Sequence, residues 1–203
     1  MAMKKFLISV LMLLFTVPAL AENTILIVGD SLSAGRGIDP SLGWVKLLEQ
    51  RLVDSKSNYR VINASISGDT LSDGLSRLPE ALTQYQPKIT IIELGGNDGL
   101  RGLSPALIKK NLEILIALTK KSGSKVLVLG VRIPPNYGIE YTQQFQQVYQ
   151  NLQAQNDMKV VPLFLKNVDD DPSLMQSDGI HPKENAQKIM LNNVWPTLQT
   201  LLK

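Results

Sequence analysis

Ser31 stands in Gly29-Asp30-Ser31-Leu32-Ser33, directly after the apolar run Ile25-Leu26-Ile27-Val28. A serine hydroxyl becomes a nucleophile only where a base can take its proton. The chain has one histidine, His181, and a carboxylate three residues before it, in Asp178-Gly179-Ile180-His181. In an irregular segment Gly179 lets the chain fold back, so that Asp178 accepts one ring N–H and leaves the other nitrogen free as a base. Ser31, His181 and Asp178 are then the nucleophile, base and orienting acid of an acyl-transfer triad. Both segments also have a plainer use. Asp30 and Ser31 suit the cap of a following helix, and so does an aspartate just before a histidine at a helix start.

Acyl transfer further needs donors aimed at the developing oxyanion. Three are available: the backbone N–H of Ser31, the N–H of Gly68 in Ser67-Gly68-Asp69-Thr70, and the side-chain amide of Asn97 in Gly95-Gly96-Asn97-Asp98-Gly99. Singly, each is an ordinary turn residue. Together they follow three apolar runs, and turn chemistry alone gives no reason for that repetition.

The elements that must bring these residues together alternate along the chain. Residues 25–28 are aliphatic without alternation, which is the pattern of a strand buried on both faces at the centre of a parallel sheet. Trp44, Val45, Leu47, Leu48 and Leu52 predict a helix over 41–53, and a short strand follows at 59–62. Leu71, Leu75, Leu78 and Leu82 predict a helix over 70–85, ended by Pro87. A third strand covers 88–94. Ser104-Pro105 opens a helix that Ser122-Gly123 stops, and a fourth strand follows at 126–129. A Gln-rich helix over 140–155 and a short strand over 158–161 come next. The last helix is expected to start at Pro182, placing His181 at its entrance, and to bend at Pro196. This alternation predicts an α/β fold: a three-layer α/β/α flavodoxin-like sandwich with a five-stranded parallel sheet in the order 2-1-3-4-5. Ligands bind such sheets at the carboxyl edge, where all the polar turns lie.

Residues 1–21 are of another kind, with Lys4-Lys5, an apolar stretch too short to span a bilayer comfortably, then Pro18 and Ala19-Leu20-Ala21. This is the pattern of a cleavable signal peptide, which implies a periplasmic or secreted protein without stable membrane insertion. Dropping these residues, and two lysines with them, leaves 182 residues at a formal charge of +1 instead of +3. That length suits one domain over 22–203. No dense basic tract marks a nucleic-acid partner. Cysteine is absent, which excludes disulfides and a thiol nucleophile, and with a single histidine it argues against a zinc site. Asp169-Asp170-Asp171 lacks the alternation and glycine of a calcium loop and reads as a solvated acidic turn. Ser122-Gly123-Ser124-Lys125 matches Ser-x-x-Lys but precedes a strand, at the wrong edge. Asn63-Ala64-Ser65 is a chance glycosylation match.

The motifs Gly-Asp-Ser-Leu-Ser, Gly68, Gly-Gly-Asn-Asp and Asp-Gly-Ile-His, in this order along the chain, resemble those of the GDSL, or SGNH, hydrolase family. Its four signature residues match Ser31, Gly68, Asn97 and His181. Within it, Gly-Asp-Ser-Leu-Ser-Ala-Gly and the Arg-x-Pro-x-Asn-Tyr-Gly loop are similar to the multifunctional periplasmic thioesterase I/lysophospholipase/arylesterase group. The resemblance implies a serine esterase acting on small-molecule carboxylic esters and thioesters, with no cofactor and no metal, and a monomer is expected. Two loops leaving the same edge carry apolar side chains that could wall an acyl groove, Leu100 and Leu103 in one and Ile133, Pro134 and Tyr137 in the other, although Leu100, Leu103 and Ile133 equally suit tucking under their loops into the core. The rival functions are a flavodoxin-like ligand-binding protein and a non-catalytic carbohydrate-binding module. The phosphate-binding patterns G-x-x-x-x-G-K-[ST] and G-x-G-x-x-G do not occur.

Overall fold

The computed structural model describes residues 23–154 and 157–203. The signal segment expected over residues 1–21 lies outside them. Strand β1 (Asn23–Gly29) carries Ile25, Leu26, Ile27 and Val28, all fully buried. It lies between β2 (Tyr59–Asn63) and β3 (Ile89–Glu93), with β4 (Lys125–Leu129) and β5 (Lys159–Val161) beyond. The sheet order is β2-β1-β3-β4-β5 and every pairing is parallel. Unalternated strands need cover on both faces, because neither face carries polar side chains that water could solvate. Helices α2 (Trp44–Asp54) and α7 (Gln187–Gln199) pack together as one layer. Helix α5 (Pro105–Lys121) packs between α3 (Leu71–Tyr85) and α6 (Ile139–Leu152) as the other. The sandwich and strand order are those expected from the alternation of apolar runs.

Boundaries differ where side chains intervene. Two turns at the carboxyl edge close into short helices, α1 (Ser31–Ala34) and α4 (Gly96–Leu100). Helix α2 starts at Trp44, after a 3-10 turn at Pro40–Leu42 that Asp39 caps. The last helix does not begin at Pro182: a 3-10 turn over Glu184–Ala186 precedes α7, which runs through Pro196. His181 instead sits in a tight loop closed by an antiparallel Met175–Pro182 bridge. The N–H of Gln176 donates to the His181 carbonyl and that of Lys183 to the Leu174 carbonyl, both at 2.7 Å. These pairings commit the backbone on either side of Pro182 to a hairpin, and the helix starts only once they end.

In the acidic turn Asp170 and Asp171 are exposed, as expected, and Asp169 is half-buried. Asp169 accepts a two-pronged ion pair from Nε and Nη2 of Arg132, which ties the loop after β4 to the loop after β5. Asp171 caps the N–H of Ser173 at 2.8 Å. Asn63 is also engaged, its amide donating to the Ser33 carbonyl at 2.9 Å.

Candidate active site

Ser31 occupies the first position of α1, immediately beyond β1. Asp30 is the helix cap, its Oδ1 accepting the N–H of Leu32 at 3.0 Å. That leaves the Ser31 hydroxyl to other partners, and it lies 2.9 Å from Nε2 of His181. Nδ1 of His181 in turn lies 2.7 Å from Oδ2 of Asp178. Asp178 also serves as a cap: its Oδ1 accepts the N–H groups of Ile180 at 2.9 Å and His181 at 3.0 Å. The capping and orienting uses of this carboxyl are therefore met by different oxygens. Gly179 makes the fold-back possible with a left-handed φ of +67°. Burial works to raise the Asp178 carboxyl, but the His181 and Ile180 hydrogen bonds outweigh it and hold it at about 2. Asp178 is thus an anion beside the ring, as the orienter of a base must be.

The second loop arrives through Gly68, whose φ of +91° strains any other residue, and whose carbonyl accepts from Arg101 at 3.1 Å. Neither its N–H nor that of Ser31 has an acceptor among the described residues. Asn97, in α4, is held differently: its Nδ2 donates to the Asp69 carbonyl at 2.9 Å and to Oδ2 of Asp30 at 3.1 Å. The neighbouring Asp98 is fully buried and caps α3 by accepting the Leu71 N–H at 2.9 Å, which ties the second and third loops to each other.

Below the turn that carries Ser31 lies a group that the triad pattern does not point to. Gly29 and Glu93 are register partners at the ends of β1 and β3. Glu93 Oε2 accepts from the Ser33 hydroxyl at 2.7 Å and from the Asp30 N–H at 3.3 Å. A Cβ on residue 29 would come within 2.9 Å of that oxygen and of Ser33, so glycine is required by close approach. Burial, and then the charge of Asp30, push the Glu93 carboxyl well up, and burial pushes Asp30 up to about 7. The sequence signal for Glu93 is a lone acid in an otherwise apolar strand. Arg77 of α3 joins the same cluster, donating to Asp69, to the Ala64 carbonyl and to the Gly29 carbonyl. Gln176 links the histidine loop to the loop after α1 through its bond to the Arg36 carbonyl at 2.8 Å.

A cavity of about 450 Å³ opens at Ser31 and Asn97; Leu100, Ile133, Pro134, Leu165 and Met175 give its lining an apolar part, and Arg132, Gln146, Asp169 and Asp170 a polar one. Leu103 and Tyr137 lie off this lining. Leu103 packs against the core, and the Tyr137 hydroxyl donates to the Leu100 carbonyl at 2.8 Å. Among the described residues no cluster of three metal-ligating side chains occurs.

This arrangement can carry a proton from a serine through an imidazole beside a cavity lined in part by apolar side chains. Similarity to known proteins points the same way. The family model described as GDSL-like Lipase/Acylhydrolase family matches residues 27–189. Esterase TesA of Pseudomonas aeruginosa is 51% identical over 182 residues, covering 90% of each chain. Thioesterase 1/protease 1/lysophospholipase L1 of Escherichia coli (strain K12) is 40% identical over 191 residues, covering 94% of this chain and 90% of the relative. Among solved structures, psychrotrophic esterase EstA from Pseudoalteromonas sp., inhibited by monoethylphosphonate, superposes with a TM-score of 0.83 at 36% identity, covering 89% of this chain and 98% of that one. With identity this high along nearly the whole of each chain, and a family model spanning all five strands' polar turns, the chain belongs to the GDSL-like lipase/acylhydrolase family.

Proposed function

We propose that the protein is a serine esterase that hydrolyses carboxylic esters and thioesters through an acyl-enzyme on Ser31. The observation that carries this reading is the hydrogen-bonded chain from Ser31 Oγ through His181 to Asp178, at 2.9 and 2.7 Å. Ser31 attacks the carbonyl carbon, His181 Nε2 takes the hydroxyl proton, and the Asp178 anion stabilises the imidazolium. The N–H groups of Ser31 and Gly68 and the amide of Asn97 hold the oxyanion. The tetrahedral intermediate collapses as His181 returns the proton to the leaving alcohol or thiol. Water, activated by the same imidazole, then releases the acid and regenerates Ser31.

The acyl chain occupies the cavity against Leu100, Ile133, Pro134, Leu165 and Met175, where burial of each methylene contributes at most ~0.8 kcal/mol. A relative named as an esterase and another named as a thioesterase and lysophospholipase support a broad range of acyl donors. Residues 1–21 serve as a signal segment, and the working protein is a periplasmic or secreted monomer. A fluorophosphonate probe tests the reading directly. Labelling should be stoichiometric and map to Ser31 by peptide mass, and it should vanish in Ser31→Ala together with hydrolysis of p-nitrophenyl esters and acyl-CoA. A folded protein that takes no label and turns over neither substrate is a binding module instead.

A further inference from the structure

An amide nitrogen has two protons, and in this structure both protons of Asn97 Nδ2 are committed: one to the Asp69 carbonyl at 2.9 Å, the other to Asp30 Oδ2 at 3.1 Å. The other two oxyanion donors have no acceptor among the described residues. Asn97 therefore cannot serve an oxyanion without surrendering one of its present bonds. The backbone carbonyl is fixed in place, and its bond is the shorter. The bond to Asp30 is longer and reaches the residue that immediately precedes the nucleophile.

The geometry points to Asp30 as a positioning residue that holds the Asn97 amide ready in the free enzyme and yields its proton to the tetrahedral oxyanion. This rests on the proposed role of Asn97 as an oxyanion donor. With Asp69 keeping the second N–H, the plane of the amide stays set, and a single hydrogen bond changes acceptor as charge develops. A carboxyl can release that proton readily only if it is itself a modest acceptor. Its surroundings make it one. Asp30 is buried, and it faces Glu93 at the end of β3, Asp69 in the loop after β2 and Asp98 in α4. Arg77, which approaches from α3, is spent on Asp69 and on the carbonyls of Ala64 and Gly29. Arg101 is directed at the Gly68 carbonyl. Burial, and after it the charges of Asp69 and Asp98, push Asp30 up to about 7, so near neutrality a large share of the carboxyl is protonated and uncharged. Glu93 supports the arrangement from below, gripping the Asp30 N–H and the Ser33 hydroxyl.

The test is a double-mutant cycle on the full chain with a p-nitrophenyl ester, comparing the wild type, Asp30→Ser, Asn97→Ala and the double variant. Serine retains the helix cap on the Leu32 N–H but is too short to reach Asn97. Asp30→Ser should lower kcat by about tenfold or more, short of the ~10²–10³-fold of donor removal, with KM within about twofold. In the Asn97→Ala background the same substitution should change kcat less than about twofold, since a residue that acts through Asn97 has nothing left to position. Asp30→Asn runs alongside it, its single carbonyl able to serve Leu32 or Asn97 but not both, and it carries the cycle should Asp30→Ser not fold. Equal losses in both backgrounds, or no loss from either Asp30 variant, would overturn the proposal. If Asn97→Ala alone leaves kcat intact, the oxyanion role of Asn97 fails and the role of Asp30 goes with it.

Discussion

The Ser31 hydroxyl and Nε2 of His181 stand 2.9 Å apart across 150 residues of chain. One follows the first strand and the other sits in the last loop, and the parallel sheet delivers both to its carboxyl edge. Neither is needed to hold its own element. Asp30 caps α1, and backbone pairing at Gln176 and Lys183 closes the histidine loop.

Ser31→Ala and His181→Ala should therefore remain folded and lose ~10⁴-fold or more in kcat. Circular dichroism verifies the fold, and initial rates on an aryl ester give the loss. A purified, folded variant of either kind with a tenth of wild-type kcat is incompatible with the triad.

Asn97→Ala should reduce kcat by about 10²–10³ and leave KM nearly unchanged, because an oxyanion donor acts in the transition state more than in the ground state. Steady-state kinetics separate the two parameters. A rise in KM with kcat preserved reassigns Asn97 to substrate binding.

Glu93 gives the fold a pH dependence of definite sign. Its folded carboxyl is raised well above the ordinary 4.5 by burial, so the native state keeps a proton that the unfolded chain releases. Stability is thus fully present below pH 4.5 and declines as pH rises above it. Asp178, held at about 2, acts in the opposite window: its contribution is present above pH 3.8 and is lost as pH falls toward 2. Glu93→Gln removes the first dependence. Its Tm relative to wild type should be higher at pH 8 than at pH 5, and an equal difference at both pH values refutes the buried-acid account.

Ile133 is nearly buried and walls the cavity beside Leu100 and Pro134. If the acyl chain lies there, kcat/KM climbs several-fold per two carbons until the cavity is full, the ceiling being ~0.8 kcal/mol per methylene. Ile133→Ala should flatten that climb while sparing acetate esters. Equal losses on acetyl and long-chain esters make Ile133 a support of the fold.

Much of this protein is legible without coordinates, and the reason is chemical scarcity joined to short-range pattern. One histidine, an aspartate three residues before it, and apolar runs that break into Gly-Asp-Ser, Gly-Asp and Gly-Gly-Asn-Asp leave few ways to build a site. The parallel pairing follows from the same alternation, since parallel strands must be linked by helices, and the order 2-1-3-4-5 is one of the common orders for such a sheet. Capping and catalytic readings of Asp178 compete on paper but coexist in space, because a carboxylate has two oxygens.

The polar wiring beneath the site became visible only in three dimensions. Glu93 lies under the Ser31 turn because Gly29 and Glu93 are opposed in the register of β1 and β3, a relation between residues more than sixty apart. Arg77 reaches from α3 to Asp69 and to the Gly29 carbonyl, and Arg132 meets Asp169 across different loops. Leu103 and Tyr137 leave the cavity for contacts that their apolar character alone does not specify, and the helix expected at Pro182 waits until the hairpin bonds around His181 are complete. Sequence by itself determined the main strands and helices along the chain and the candidate site residues, because periodicity and residue type act over a few positions. Which buried polar group bonds which, and hence what holds Asn97 ready, was decided by strand register and packing, which bring distant residues within the 3 Å reach of a hydrogen bond.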